Sequence, residues 1–124
     1  MRFVRLEKEG IFKKPVRIAL LTNGSLVDEK TIEAIIETQA NVSISIDGPE
    51  HLHDLARIDT ENNTTFSKAI KGYRMLQNAG IQPGISCTLN SANIKHIEEI
   101  VDFIINELKP SGMGFNILRS EAHV

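Results

Sequence analysis

Two hydrophobic periods alternate along the chain. Short, nearly continuous apolar runs that end in turn residues predict buried strands, whereas apolar residues three or four positions apart predict helices. The predicted strands are Val16–Leu21, Val42–Ile46, Gln82–Leu89 and Gly112–Leu118. A helix is expected in each of the gaps between them, and Arg2–Lys8 is expected to be the end of an earlier helix.

Capping residues mark the predicted helix boundaries. Short polar side chains before an apolar stripe favour a helix start, and glycine or proline after it favours a stop. The first helix is predicted to run to about Thr38, and 50–63 is predicted to be a polar loop with a short helical turn. The predicted starts and stops are, in chain order, Asp28, Thr64 or Thr65, Gly80, Asn93 and Pro110.

The alternation of strands and helices predicts right-handed crossovers and a parallel sheet, which is the α/β class. The second strand alternates apolar residues with Ser43 and Ser45, and Asp47 continues this polar face. Parallel strands buried on both faces are usually apolar throughout, so the polar face predicts a cleft or a barrel interior. Since a filled barrel typically needs about eight strands, these strands form an open sheet or part of a larger barrel.

Composition narrows the classes of function. The chain has 124 residues, which is one domain, and its net charge of −2 gives no long-range attraction to nucleic acid or to an anionic membrane. There is no apolar run of about 20 residues and no signal-peptide pattern, so a cytoplasmic location is expected. The only cysteine, Cys87, is expected to be buried. No metal site is predicted, because His51, His53 and Asp54 fit no zinc spacing.

Candidate binding residues lie where the predicted strands end, since ligands of parallel α/β proteins bind beyond the carboxyl ends of the strands. Short hydrogen-bonding side chains there suit a nucleoside-like ligand, although no glycine-rich phosphate loop is present. These candidates are Asn23, Ser45, Asp47, Thr88, Asn90 and Asn116. Simple turn formation is an equally open interpretation of the Asn-Gly and Asp-Gly pairs, including a role for Asp47 in its own turn. Asp54 and Arg57 are expected to form a salt bridge.

Three segments in order carry a resemblance to a known family. They are Ile18–Gly24, Val42–Pro49, and the pair His53-Asp54 followed by Arg57. Together they resemble the radical S-adenosylmethionine family, and the chain is most similar to its sulfatase-maturing and peptide-modifying members. The later segments that agree are Phe66-Ser67-Lys68, Ala79-Gly80-Ile81, Thr88-Leu89-Asn90 and Gly114–Leu118.

The resemblance implies a partial TIM-like barrel of six strands. Residues 1–124 would form a single domain that supplies about four of those strands, as the central and C-terminal part of the barrel, with a disordered tail at 120–124. S-adenosylmethionine would lie across the strand ends. Ser45 would bind its ribose, Ser43 would lie one step deeper, and Asp47 would face cofactor or substrate. The residues implied near the rest of the cofactor are Thr88, Asn90 and, beside the adenine, Asn116 with Ile117.

The resemblance also implies two elements that this sequence does not contain. One is the Cys-x3-Cys-x2-Cys motif that holds a [4Fe–4S] cluster, and the other is a Gly-Gly-Glu element that binds the methionine end of the cofactor. The complete enzyme would cleave S-adenosylmethionine reductively to a 5′-deoxyadenosyl radical and abstract hydrogen from a peptide or protein substrate. No catalytic residue is therefore assigned to this chain, and it is expected to be inactive alone.

Two other classes stay open. The chain is alternatively a fragment of another (β/α) barrel enzyme such as an aldolase, although no lysine suited to a Schiff base lies at a predicted strand end. It is alternatively a non-catalytic association module. An incomplete barrel exposes strand edges and apolar surface, so self-association through these edges is expected in either case.

Overall fold

The computed structural model describes residues 17–55, 57 and 63–117. The expectations for Arg2–Lys8 and for the tail at 120–124 lie outside these residues. The strands are β1 (Ala19–Thr22), β2 (Asn41–Ser45), β3 (Gly84–Leu89) and β4 (Met113–Ile117). The helices are α1 (Glu29–Thr38), α2 (Glu50–His53), α3 (Phe66–Asn78) and α4 (Ile97–Phe103). A 3₁₀ turn at Ile94–His96 leads into α4, and a π-helical turn at Ile104–Leu108 continues it.

The four strands form one parallel sheet in the order β1-β2-β3-β4. Each connection carries at least one helix, as parallel crossovers require. This arrangement confirms the predicted α/β class and the parallel βαβ repeats. The register places Ser43 between Leu21 and Gly84, and it places Ser45 beside Ser86.

The helices cover one face of the sheet. The residues of β2 and β3 on that face are almost inaccessible to solvent, and Ile44 is 0% exposed. The hydrophobic core that they form with the helices is Ile35, Val42, Ile44, Ile46, Leu52, Ala69, Tyr73, Leu76, Ile85, Cys87, Leu89, Ile100, Ile104 and Leu108.

The opposite face of the sheet is polar on β2, β3 and β4, whereas β1 contributes the exposed Leu21 to it, and most of its side chains reach solvent. We call it the open face, and it consists of Ser43, Ser45, Asp47, Ser86, Thr88 and Asn116. Helices on one side and polar residues on the other are typical of a barrel wall, whose inner surface is closed by other strands rather than by helices.

Asp28 caps α1 as predicted by accepting a hydrogen bond from Thr31 N at 2.8 Å, whereas Thr65 and Asn93 stand at their predicted helix starts without a capping bond from their side chains. Thr65 precedes α3 but makes no capping bond with its side chain. Instead, Asp54 Oδ1 accepts from Thr65 N at 3.2 Å and from Phe66 N at 3.0 Å. A carboxylate distant in sequence therefore satisfies the backbone donors at this helix start, which local pattern could not reveal.

Asn93 does not cap the helix after β3. Its buried amide accepts from Asn90 N at 2.8 Å and donates to Thr88 O at 2.9 Å, so it holds the turn that follows β3. The helix consequently starts as a 3₁₀ turn. Among the helices that the structure describes, none is both long enough and apolar enough to cross a lipid bilayer.

The turn after β1 packs directly on α3 through two glycines. Gly24 has φ +87°, in the left-handed region that favours glycine, and a Cβ there would lie 2.9 Å from Ala69 Cα. A Cβ on Gly72 would lie 2.3 Å from Gly24 O. Backbone therefore meets backbone at this contact, which fixes the end of β1 against the helix layer.

Candidate functional site

The open face arranges small side chains in rows across the strands. Ser45 lies beside Ser86 and Ser86 beside Gly114, while Thr88 lies beside Asn116 one row closer to the carboxyl ends. Neighbouring parallel strands are about 4.8 Å apart, so these side chains are close enough to contact one small molecule. The sequence placed Ser45, Thr88 and Asn116 at strand ends, and the register brings all three to the same side of the sheet.

Hydrogen-bonding capacity on the open face is only partly used. Asn116 Nδ2 donates to Ser86 Oγ at 3.2 Å. Within the part of the chain that the structure describes, neither the Ser43 hydroxyl nor the Ser45 hydroxyl forms a hydrogen bond, and Ser45 is only 8% exposed. A Cβ added to Gly114 would meet nothing within 4 Å. The face therefore offers hydroxyl groups beside a stretch of uncovered backbone, which suits a flat, hydroxyl-bearing ligand.

The carboxylate of Asp47 joins the tips of β2 and β3 to the following loop. Its Oδ2 lies 2.5 Å from Arg57 Nε, and its Oδ1 accepts from Thr88 N at 2.9 Å and from Arg57 Nη2 at 3.2 Å. Arg57 Nη2 also donates to Thr88 Oγ1 at 3.2 Å. Two parallel bonds between guanidinium and carboxylate are the strongest kind of side-chain pair. The expected salt bridge between Asp54 and Arg57 is therefore wrong, because Asp47 is the partner of Arg57.

His53 connects the same loop to Asp47 from the other side. Its Nδ1 accepts from Asp47 N at 3.1 Å, and its Nε2 lies 3.1 Å from Thr65 Oγ1. Thr65 Oγ1 in turn donates to Arg57 O at 2.6 Å. Since Nδ1 is an acceptor here, the ring proton is on Nε2. Burial lowers the pKa of His53, against the opposing effect of the nearby Asp47 carboxylate, which is consistent with a neutral ring.

Asn23 and Asn90 are engaged in turns. Asn23 Oδ1 accepts from Ser25 N at 3.0 Å and from Ser25 Oγ at 2.7 Å, just after β1. Asn90 Oδ1 accepts from Ala92 N at 2.8 Å and from Asn93 N at 3.1 Å, just after β3. These bonds correspond to the turn interpretation left open by the sequence. A role for either residue in cofactor binding stays a prediction.

Cys87 lies on the helix-covered face, away from the open face. Burial raises the pKa of its thiol to about 12, with a further contribution from Asp47, so the thiol stays protonated and unreactive. The sequence has one cysteine, which cannot supply the three ligands of an iron–sulfur cluster. The residues of this sequence therefore do not fit an iron–sulfur cluster.

Sequence reasoning missed Ser86, and it did not foresee the bonds of His53. Ser86 could have been found, because the alternation in Ile85–Thr88 places it on the same side as Thr88. The bonds of His53 had no sequence signal, since its partners are 6 and 12 residues away and no regular period relates these positions.

Comparisons with known proteins agree with this class of fold. A model of the radical SAM superfamily matches residues 1–104. The cysteine-type anaerobic sulfatase-maturating enzyme of Clostridium perfringens is 29% identical over 100 residues, which cover 80% of this chain and 27% of that protein. The Fe-coproporphyrin III synthase of Methanosarcina barkeri is 29% identical over 99 residues, covering 79% of this chain and 24% of that protein.

The fold of this chain also matches that of a solved structure. Native anSMEcpe with bound AdoMet and Cp18Cys peptide superposes with a TM-score of 0.84 at 25% identity, covering 94% of this chain and 32% of that one. The fold is thus part of the barrel found in these enzymes. This chain belongs to the radical SAM superfamily. It spans about a quarter to a third of the length of the relatives that it matches.

Proposed function

We propose that this chain forms the central and C-terminal part of a radical SAM barrel and that its open face binds the nucleoside end of S-adenosylmethionine. The observation that carries the proposal is the uncovered row of small hydrogen-bonding side chains at the strand ends, on a sheet whose other face is sealed by helices. Family membership supports it, as does the bound AdoMet named for the matching structure.

Each residue of the open face has a proposed task. The Ser45 hydroxyl bonds the ribose, and Ser43 lies one row deeper, at the floor of the cleft. Arg57 donates a hydrogen bond to the Thr88 hydroxyl, and the Asp47 carboxylate accepts from both Arg57 and Thr88. These bonds make this corner of the cleft rigid. Asn116 presents its amide toward the adenine. Asn23 and Asn90 shape the rim of the cleft through their turns. The sequence also predicted that both residues contact the cofactor directly.

The chemistry of the complete enzyme is also a proposal. When bound with its cluster, S-adenosylmethionine would supply a 5′-deoxyadenosyl radical for hydrogen abstraction, and the residues of this chain would bind and orient its nucleoside end. A peptide or protein substrate is favoured by the sulfatase-maturating relative and by the peptide named in the matching structure. We place the protein in the cytoplasm, and we propose that these 124 residues have no radical activity alone.

Calorimetric titration of the chain with S-adenosylmethionine tests where the site lies. We expect no binding or binding weaker than about 1 mM, because the contacts for the methionine end are not in this sequence. Micromolar binding would show that the site is elsewhere or is complete without those contacts.

Self-association through exposed edges is the proposed partner behaviour of the isolated chain. The edge strands β1 and β4 expose large apolar side chains, including Leu21 at 63% and Ile117 at 67%. Exposed edge strands with apolar side chains favour association with another chain. Sedimentation velocity should show a dimer or larger species that grows with concentration, and Leu21→Lys should reduce it more than Leu26→Lys, a change in an exposed turn. A monomer at high concentration would contradict the proposal.

A further inference from the structure

The loop that carries Arg57 is tied to the sheet by a buried chain of hydrogen bonds. Starting at the sheet, the chain runs from Asp47 N to His53 Nδ1, from His53 Nε2 to Thr65 Oγ1, and from Thr65 Oγ1 to Arg57 O. His53 is 1% exposed, and its ring packs edge-on against Phe66 with the ring centroids 5.7 Å apart. The backbone of Arg57 is therefore anchored through His53 to the backbone of Asp47. The side chain of Arg57 also forms a salt bridge with the Asp47 carboxylate.

We propose that His53 is a positioning residue, which in its neutral Nε2–H form holds Arg57 against Asp47 and Thr88 at the mouth of the open face. The proposal deepens the proposed function, because the group that His53 positions borders the proposed cofactor cleft. His53 itself packs against Phe66 of α3, and its ring nitrogens bond Asp47 N and Thr65 Oγ1. It acts through Arg57.

The bonding pattern makes this anchor specific to neutral histidine. Protonation would place an N–H on Nδ1 against the N–H of Asp47, so two donors would face each other and the bond would break. Among the residues that the structure describes, the charged groups that act on the ring are Asp47 at the end of β2, Asp54 after α2 and Arg57, while Phe66 of α3 and the preceding Thr65 contact it without charge. The two carboxylates favour the protonated ring, whereas burial and Arg57 disfavour it.

The direction of the pH effect follows from the lowered pKa of His53. In the unfolded chain His53 takes up a proton near its ordinary value of 6.5, whereas the folded chain resists protonation until lower pH. The stability that neutral His53 provides is therefore complete above about pH 6.5 and is lost progressively as the pH falls below it. The hold on Arg57 should weaken over the same range.

Nuclear magnetic resonance of the complete chain tests the proposal without any ligand. The ring nitrogens of His53 should show an unprotonated Nδ1 and a protonated Nε2 at neutral pH. The Nε–H of Arg57 should exchange slowly with solvent in the native chain, and about tenfold faster in His53→Leu. His53→Asn keeps an acceptor near the position of Nδ1 and should restore part of the protection.

Two control variants separate positioning from general stability. His51→Leu changes a histidine of the same helix that is 62% exposed, and it should leave the exchange of Arg57 Nε–H within about twofold of the native rate. Ile104→Val removes a buried methyl group, which should lower the midpoint of urea denaturation while leaving that exchange rate within about twofold of the native rate.

Two results would overturn the proposal. One is a proton on Nδ1 of His53 at neutral pH, which needs no variant and therefore stands even if His53→Leu does not fold. The other is an Arg57 Nε–H that is equally protected in His53→Leu and in the native chain. Neither measurement involves a ligand. Both would therefore still test the role of His53 if the chain did not bind the cofactor.

Discussion

At the scale of single residues, Asp47 connects the end of β2 to β3 and to the loop that carries Arg57. It is 3% exposed, and its carboxylate accepts hydrogen bonds from Arg57 and from the backbone of Thr88. A carboxylate buried to this degree is stable only when its oxygens are paired. The partner that the loop supplies, Arg57, is thus required by the fold as well as by the proposed cleft.

Removing Arg57 should therefore destabilise the chain strongly. We expect Arg57→Met to lower the free energy of unfolding by about 3 kcal/mol, because it leaves the buried Asp47 charge unpaired. In the background of Asp47→Asn, Arg57→Met should lower the free energy of unfolding by at least about 1 kcal/mol less than it does in the native chain. Urea denaturation of the four variants of this cycle measures the difference.

Arg74→Met is the matched control for that cycle. Arg74 is exposed and lies 5.7 Å from the centre of the Tyr73 ring, so its replacement should cost no more than about 1 kcal/mol. Equal costs for Arg57→Met with and without Asp47→Asn would mean that the pair contributes no coupling energy.

The residue pattern predicted which face of the sheet a side chain lies on better than it predicted which residues form hydrogen bonds with each other. Alternation along Val42–Asp47 correctly separated the polar side chains from the core, because the pleat fixes the direction of each side chain. The choice between Asp47 as a turn cap and Asp47 as a cleft residue was left open. Its partner, Arg57, follows ten residues later, beyond the short helix α2, and no periodicity relates this sequence distance to a distance in space.

At the scale of elements, the contact of Gly24 with Gly72 places the turn after β1 on α3. The Thr22-Asn23-Gly24 segment resembled a family motif in sequence, and its glycine is explained by this contact and by its positive φ. The strands and helices themselves were predictable from periodicity to within a few residues. The exceptions are the starts of α3 and of the helix after β3, whose backbone donors depend on Asp54 and Asn93 in ways that only the tertiary structure shows.

Gly72→Ala should be destabilising although alanine is the better helix former. The preference for alanine contributes about 1 kcal/mol in favour of the variant, but a Cβ 2.3 Å from Gly24 O forces two backbones apart. We expect a net loss of about 2 kcal/mol in the free energy of unfolding. Lys71→Ala, at the exposed neighbouring position, should stay within about 0.5 kcal/mol of the native chain. A Gly72→Ala variant as stable as the native chain would refute the close contact.

At the scale of the whole molecule, the two faces of the sheet differ in a way that defines the proposed function. One face forms the core with the helices, and the other carries hydroxyl and amide groups that the described helices leave uncovered. The strands β1 and β4 are the edges of this sheet, as expected for one section of a barrel wall. Sequence alone predicted this asymmetry from a single alternating strand, while the equivalent face of β3 was overlooked.

The most direct test is a titration of the isotope-labelled chain with adenosine and, separately, with methionine, followed through its backbone amide resonances. Adenosine at millimolar concentration should shift the amides around Ser45, Thr88 and Asn116 and leave those of α1 and α3 unchanged, and methionine should shift none of them. Ser45→Leu should weaken the adenosine shifts, whereas Ser91→Leu, at an exposed turn position, should not. Adenosine shifts confined to the helix layer, or no shifts up to about 10 mM, would contradict a nucleoside site on the open face.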